Sequence, residues 1–544
     1  MKIILAQINV HVGNFEQNFQ KIQQEISLAK IAQVDLIIFP ELAICGYPPR
    51  DFLDYSYFIE QVDLYISRIA KICTDITCII GAPINNEATS GKKLFNAAYV
   101  LANGTIQNVV HKSLLPTYDV FDEYRYFEPA KSVSCVEVGG KKIALTICED
   151  LWNAAENPLY DHTPMDLLMQ EQPELMINIA ASPFDYLQED KRKQMLKANC
   201  LKYNLPLVYV NHVGAQTEII FDGGSMVMNA QGELLQEAKY FQEDCLLIED
   251  LTQLISENKI ITTTNDIAIQ KIEKALLLGI QDYFSKSGFS KAVLGLSGGI
   301  DSAVVCALAT KALGPKNVLA VLLPSAYSSD HSISDAMALI ENLGIEYSHI
   351  NIEATVKSAE NTLADLFHGT QADITEENLQ ARVRGLLLMA VSNKFGHILL
   401  NTSNKSEAAV GYGTLYGDMS GGISVIGDVY KTKVFELAKW INRSTEIIPW
   451  NTIQKAPSAE LRHNQKDSDS LPDYDLLDQV LYLYIEEQLG LAEIIAKGFD
   501  EMLVKRVLML VNRSEYKRYQ TPPTLRVSPK AFGMGRRMPI VAKY

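Results

Sequence analysis

Ala292-Val293-Leu294-Gly295-Leu296-Ser297-Gly298-Gly299-Ile300-Asp301-Ser302 decides the architecture of the second half of the chain. An apolar, β-branched run stops at a glycine pair, and an apolar stretch of helical length, 303–312, follows. Strand, glycine turn and helix in that order form the unit of a parallel α/β sheet. Paired glycines let backbone N–H groups converge on an anion, and the helix N-terminus adds a favourable dipole. Ser297 and Ser302 add hydroxyl donors. No Gly-Lys-Ser/Thr follows, so the lysine of a Walker loop is absent. Asp301 has the chemistry to hold Mg²⁺ on a triphosphate. A plain strand-to-helix turn accounts for the glycine pair equally well.

Outward from this stretch, a helix is expected over 266–286. Before it, 251–265 is polar and lacks a clear period, and reads as a linker. Residues 1–250 alternate strand-like and helix-like segments. Val34–Phe39, Cys78–Gly81, Lys142–Ile147, Leu175–Ile179 and Leu207–Val210 read as buried strands; 15–32 and 57–73 have helical period. Asn103-Gly104, Gly139-Gly140 and Gln231-Gly232 signal hairpins, so this sheet is expected to be mixed. The domains are therefore 1–250 and 266–544, joined by 251–265. The acidic stretch 460–487 reads as a solvated loop and helix face. Beyond 505, basic residues face a single acid, Glu515, and Pro522, Pro523, Gly533 and Gly535 break any simple helix.

The 544 residues carry a formal net charge of −16, which argues against nucleic acid as the main partner. With 47% hydrophobic residues the chain can bury a large core without metal or disulfide staples. No run approaches the roughly 20 apolar residues of a membrane helix. Met1–Gln7 reads as a first strand rather than a signal peptide. The eight cysteines show no CxxC pair, so a reduced, cytoplasmic setting is expected. The nine histidines have no metal-ligand spacing and receive no role.

Three polar residues follow strand-like runs: Glu41, Lys112 and Cys148. Sites in α/β sheets form beyond the carboxyl ends of strands. A thiol beside a carboxylate base is a usable nucleophile, and a lysine stabilises an oxyanion. A helix N-terminus at Cys148 would lower its pKa further. Singly, each residue has a plain alternative: a buried cysteine, a helix-start glutamate, a surface lysine. The words Phe39-Pro40-Glu41-Leu42 with Gly46-Tyr47-Pro48-Pro49, His111-Lys112-Ser113-Leu114-Leu115-Pro116, and Ile147-Cys148-Glu149-Asp150-Leu151-Trp152 resemble the nitrilase (carbon–nitrogen hydrolase) superfamily. That resemblance implies a four-layer α-β-β-α sandwich with Glu41 as base, Lys112 as oxyanion stabiliser and Cys148 as nucleophile. It further implies that Glu123 supports Lys112 and that Tyr118, Ser182 and Gln188 contact glutamine; related members often carry lysine at position 188.

Ser-Gly-Gly-Ile-Asp-Ser at 297–302 resembles the pyrophosphate loop of ATP pyrophosphatase-type enzymes, which implies a Rossmann-like parallel-sheet α/β domain. Leu323–Ser329, Glu377–Arg382, Asn401–Glu407, Gly411–Met419, Glu515–Arg518 and Lys530–Gly533 together resemble the NAD synthetase family. The resemblance implies that Gly295, Leu296, Ser297, Gly298, Gly299, Ile300, Asp301, Ser302 and Thr402 contact ATP. Asp301 and Glu407 handle Mg²⁺, and Asn378, Glu407 and Lys517 contact deamido-NAD, with Arg382, Asp418 and Lys431 lining the same cleft. ATP with Mg²⁺ enters as a substrate complex, no prosthetic group is implied, and a homo-oligomer is expected.

An amide-hydrolysing half before an adenylating half implies that glutamine nitrogen is delivered to deamido-NAD. Other arrangements remain open at this point: a ligase for a different acid, a silent first half supplied by external ammonia, or a non-catalytic nucleotide sensor.

Overall fold

The computed structural model describes residues 1–154, 158–261, 266–458, 460–462, 465, 467–469 and 471–543. The chain divides into two compact units, Met1–Asn265 and Asp266–Tyr544.

Strands of the first unit build two six-stranded sheets. One has β1 (Ile3–Gln7), β2 (Leu36–Ile38), β3 (Thr77–Asn85), β4 (Leu94–Ala102) and β5 (Thr105–His111), and its far edge is β14 (Asp244–Ile248) beside β1. The other orders β13 (Leu234–Glu237), β12 (Met226–Met228), β9 (Leu207–Asn211), β8 (Leu175–Ala180), β7 (Lys141–Ile147) and β6 (Val136–Val138). A separate ribbon pairs β10 (Val213–Gln216) with β11 (Ile219–Asp222). β1, β2 and β3 are parallel to one another, as are β7, β8 and β9, while the outer strands run antiparallel. Both sheets are therefore mixed, as the hairpin signals imply.

Side chains alternate across a strand, and here both alternations are apolar. Leu5, Leu36, Ile38, Ile79 and Val100 meet Leu145, Ile147, Ile177 and Tyr209 in a core between the sheets. Ile4, Ala6, Ile37 and Ile80 on the opposite face pack under helices Phe15–Ile31 and Ser56–Ile72. Helix Gln188–Tyr203 sends Leu196, Cys200 and Tyr203 into the core of the second sheet. The layers are helix, sheet, sheet, helix. The β4–β5 turn has φ of 52° at Asn103 and 75° at Gly104, and the β6–β7 turn has 57° and 75° at Gly139 and Gly140. This left-handed pair is the type I′ hairpin that those dipeptides favour.

Two expectations need correction. The segment expected to be an aperiodic linker opens with a helix, Leu251–Glu257. Asp250 caps it by accepting from the backbone N–H groups of Thr252 and Gln253, and Leu251, Leu254 and Ile255 pack on the core. The cap lies one residue before the stretch that looked structureless. Residues 262–265 of that segment lie outside the described residues. The acidic stretch is not wholly solvated either. Asp478 is buried on helix Tyr474–Ile485, where it accepts from Ser406 Oγ at 2.5 Å and Thr432 Oγ1 at 2.8 Å; Asp467 is buried against the hydroxyls of Tyr412 and Tyr474.

The second unit is wound on a five-stranded, wholly parallel sheet. Its order is β17 (Glu346–His349), β16 (Val318–Leu322), β15 (Ala292–Gly295), β18 (Ile398–Asn401) and β19 (Ile423–Ser424). The chain moves outward from β15 on one side, then returns to build on the other. The crevice between β15 and β18 is thus the topological switch point, where such sheets bind ligands.

A tail segment completes this unit. Ser424 N–H donates to Pro523 O at 2.8 Å, and Asp428 accepts from the N–H groups of Val527 and Ser528 at 2.8 and 2.7 Å. The wholly buried Lys405 ammonium donates to Glu486 Oε1 at 2.7 Å, Ser528 Oγ at 2.6 Å and Lys530 O at 2.9 Å, with Asp428 Oδ1 at 3.1 Å.

Gly81 in β3 is needed for close approach. A Cβ there would lie 2.3 Å from Leu42 N and 2.6 Å from Glu41 Cα. Backbone on both sides leaves no side chain to swing away. Gly81→Ala should lower unfolding free energy by about 1–3 kcal/mol, the usual cost of overpacking, measured by chemical denaturation.

Candidate functional site

In the first unit, the carboxyl ends of β2, β5 and β7 deliver Glu41, Lys112 and Cys148 to one edge of the sandwich. Lys112 is wholly buried. Its ammonium lies 2.7 Å from Glu41 Oε1 and 2.9 Å from each oxygen of Glu123. Tyr47 OH donates to Glu123 Oε1 at 2.8 Å. Asn96 Nδ2 donates to Glu41 Oε1 at 2.6 Å, and the Ala181 N–H donates to Glu41 Oε2 at 2.9 Å. The predicted acid, lysine and supporting acid are thus one hydrogen-bonded cluster.

Burial pushes the Glu41 carboxyl up to about 7; Lys112 opposes this and Glu123 adds to it. Burial also works against the Lys112 ammonium, but Glu123 and Glu41 outweigh it and hold its pKa well above the usual value. Cys148 begins a short 3₁₀ turn, Cys148–Leu151, at φ 42°. The residue is buried at a sharp strand end, in a backbone region that costs strain. The expected depression of its pKa is reversed. Burial pushes the thiol well above its ordinary value, Glu41 adds to the rise and Lys112 opposes it. A four-residue turn supplies little dipole, and three carboxylates surround the sulfur. The surroundings of Cys148 therefore favour the thiol over the thiolate.

The turn is tied to the lysine loop by Asp150, on which the expectations were silent. Its Oδ1 accepts from the N–H groups of Ser113 and Leu114 at 3.0 and 2.9 Å, and its Oδ2 from Ile147 N–H at 3.0 Å. Tyr118 OH donates to Glu149, 2.9 Å from both oxygens, and Tyr160 OH donates to Glu149 Oε1 at 3.2 Å. Burial pushes Glu149 up to about 7, with Lys112 and Tyr118 opposing. Ser182 N–H donates to Asn211 Oδ1 at 2.9 Å, and Gln188 Nε2 reaches Ser182 Oγ at 3.5 Å. His212, which received no role, packs its Nε2 2.6 Å from the Glu41 carbonyl.

In the second unit, a cavity of about 750 Å³ opens at the switch point. It is lined by Gly295, Leu296, Ser297, Gly299, Ile300, Asp301 and Ser302 after β15, and by Thr402 after β18. Asn378, Arg382, Glu407, Asp418, Lys431 and Lys517 complete the wall. Gly298 does not line it. At φ 78° its missing Cβ makes room for the Ser332 carbonyl, 2.2 Å from where that carbon would sit. Lys431 bridges Asp301 Oδ2 and Glu407 Oε1, the latter at 3.3 Å, and Asn404 Nδ2 donates to Asp301 Oδ1 at 2.9 Å. Burial pushes Glu407 up to about 8; Lys431 opposes and Asp301 reinforces. Burial lowers the Lys517 pKa, Asp418 opposing, while its ammonium donates to the carbonyls of Gly411 and Gly413 at 2.7 Å each. Thr414 Oγ1 donates to Asn378 Oδ1 at 2.7 Å. Glu460 closes one side of the cavity, accepting from the hydroxyls of Ser329 at 2.8 Å and Ser332 at 2.7 Å.

A carbon–nitrogen hydrolase family model matches residues 2–259, and an NAD synthase model matches residues 272–521. The glutamine-dependent NAD(+) synthetase of Synechocystis sp. is 44% identical over 550 residues, spanning 100% of this chain and 99% of its own. The chain belongs to the glutamine-dependent NAD(+) synthetases. The Thermotoga maritima synthetase is 40% identical over 580 residues, covering 100% of this chain and 99% of its own. The solved glutamine-dependent NAD+ synthetase of Acinetobacter baumannii, in complex with adenosine diphosphate, matches with a TM-score of 0.78 at 40% identity, over 99% of this chain and 98% of that one.

Sequence reasoning on this synthetase missed Asn96, Asp150, Glu149 and His212. Asn96 had a readable signal: it is the lone polar residue in the apolar run Leu94–Leu101. The same geometry predicts the outcome of losing the central cation. Lys112→Met leaves two buried carboxylates without a counter-charge and should cost about 3–5 kcal/mol in unfolding free energy by denaturant titration.

Proposed function

We propose that the first unit hydrolyses glutamine and that the second uses the ammonia to amidate deamido-NAD, the last step of NAD formation. The Glu41–Lys112–Glu123 cluster beside Cys148 carries this reading. Glu41 takes the thiol proton as Cys148 Sγ attacks the carboxamide carbon of glutamine. Lys112 stabilises the oxyanion, and Glu123, steadied by Tyr47, holds Lys112 in place. Glu41 returns the proton to the leaving nitrogen, ammonia departs, and a thioester remains. Water, deprotonated by Glu41, then releases glutamate. Glu149, a carboxylate between Tyr118 and Tyr160 next to the nucleophile, suits the α-ammonium of the substrate; Ser182 and Gln188 flank its other end.

In the second unit the nicotinate carboxylate attacks the α-phosphorus of ATP, and pyrophosphate leaves toward the 295–302 loop. Ammonia attacks the resulting acyl adenylate and AMP leaves. Asp301 and Glu407 are hard oxygen donors suited to the Mg²⁺ that accompanies ATP. Lys517 supplies positive charge for the dinucleotide phosphates, and the Asn378–Thr414 pair supplies neutral hydrogen bonds. Free ammonia is mostly ammonium at neutral pH and is not nucleophilic in that form, which gives a reason to release it within one enzyme. We further expect a homo-oligomer.

The deciding assay is NAD formation from ATP, Mg²⁺ and deamido-NAD. With glutamine as nitrogen source the parent should form NAD and Cys148→Ala none; ammonium should restore the variant. NAD from Cys148→Ala on glutamine would refute the nucleophile, and no NAD from either nitrogen source would refute the acceptor. The pH dependence follows from Glu41. Its raised pKa, about 7, means the base is lost to protonation below neutrality. Glutamine kcat/KM should therefore fall about tenfold per pH unit below that value, read by ammonia release across pH 5–9.

A further inference from the structure

We propose that Asn96 is a positioning residue for glutamine hydrolysis: its amide commits Glu41 Oε1 to accepting N–H bonds and leaves Oε2 as the oxygen that takes the Cys148 proton. The inference rests on Glu41 being the base.

Asn96 sits wholly buried in β4. Its Nδ2 donates to Glu41 Oε1 at 2.6 Å and to Glu123 Oε2 at 3.3 Å. Lys112 Nζ donates to the same Glu41 Oε1 at 2.7 Å. A carboxylate oxygen has two lone-pair sites, so two N–H donors fill Oε1. Oε2 accepts only from the Ala181 N–H, at 2.9 Å, among the described residues. One lone pair on Oε2 is thereby kept for a proton.

The amide has no freedom to reverse. Turned over, its oxygen would face two carboxylates. In the observed orientation Asn96 Oδ1 is buried without a hydrogen-bond partner among the described residues. An unsatisfied buried acceptor is unfavourable, and it persists here because both Nδ2 protons are engaged on acids. The main chain of Asn96 also accepts from Lys112 N–H at 2.8 Å, so one residue orients the base and the oxyanion stabiliser together.

Around the Glu41 carboxylate stand Lys112 after β5, Glu123 on its 3₁₀ turn and Cys148 after β7, with the His212 ring against the Glu41 main chain. Asn96 is the neutral side-chain donor to that carboxylate, beside the main-chain N–H of Ala181. Hydrogen bonds to a carboxylate favour its charged form. Removing that donor raises the pH at which Glu41 becomes a base.

The test measures ammonia release from glutamine across pH 5–9 for the parent, Asn96→Ala, Asn96→Asp and Asn96→Ser, with thermal melts to identify the folded variants. The acid limb of kcat/KM should move up by about one pH unit in Asn96→Ala, a tenfold loss at pH 6 relative to the parent. It should move further in Asn96→Asp, where an acid replaces the donor. Asn96→Ser, which keeps a hydroxyl donor, should lie between the parent and Asn96→Ala. KM for glutamine should change little, since Asn96 touches the base rather than the substrate. An acid limb identical to the parent's in the folded variants, or a loss uniform across pH, would overturn the proposal. If the parent instead releases no ammonia, or releases it equally as Cys148→Ala, the base assignment itself has failed.

Discussion

One ammonium among acids governs the first unit. Lys112 is wholly buried and faces Glu41 and Glu123, so with both acids ionised the group of three carries one net negative charge out of water. Buried charge of this kind is tolerable only with near-complete hydrogen bonding. The surroundings meet that demand with neutral donors: the hydroxyl of Tyr47, the amide of Asn96 and the N–H of Ala181. Burial, and after it the negative charge of Glu41, push the Cys148 thiol above its ordinary pKa. A thiol held in this form is less open to oxidation and alkylation than a thiolate would be.

The second unit repeats the motif with a different openness. Lys431 also bridges two acids, Asp301 and Glu407, but these carboxylate side chains keep 18% and 16% of their surface exposed on the cavity wall, whereas Glu41 keeps none. A lysine locked among buried acids is a fixed part of its site. A lysine bridging acids on a cavity wall leaves those acids within reach of a ligand. A lysine between two carboxylates is therefore sealed from water in one place and borders a cavity in the other.

Much of this is legible in the amino-acid sequence. The strand runs, the three hairpin dipeptides and the glycine turn at 295–302 are local signals, and the local structure follows them. Glu41, Lys112 and Cys148 could be suspected because each follows a strand, and sheets gather such positions at one edge. What stayed hidden depends on partners distant in the chain. Asp150 matters because it accepts from residues 113 and 114 as well as 147. Asp478 looked like part of a solvated acidic face because its partners, Ser406 and Thr432, lie far away in sequence. The Cys148 pKa was expected in the wrong direction because a turn was taken for a helix, and because burial among acids is a property of the assembled site. The Leu251–Glu257 helix was missed because its cap, Asp250, lay just outside the stretch judged polar.

The contacts of Lys405 bind the end of the chain to its chemistry. This lysine lies two residues before Glu407, and its buried ammonium is satisfied by Ser528 and Lys530. The carboxylates of Glu486 and Asp428 balance its charge, while Ser528 and Lys530 supply its two neutral acceptors. Ser528 and Lys530 thus hold from behind, across more than a hundred positions of sequence, the short segment that carries Thr402 and Glu407 to the cavity wall.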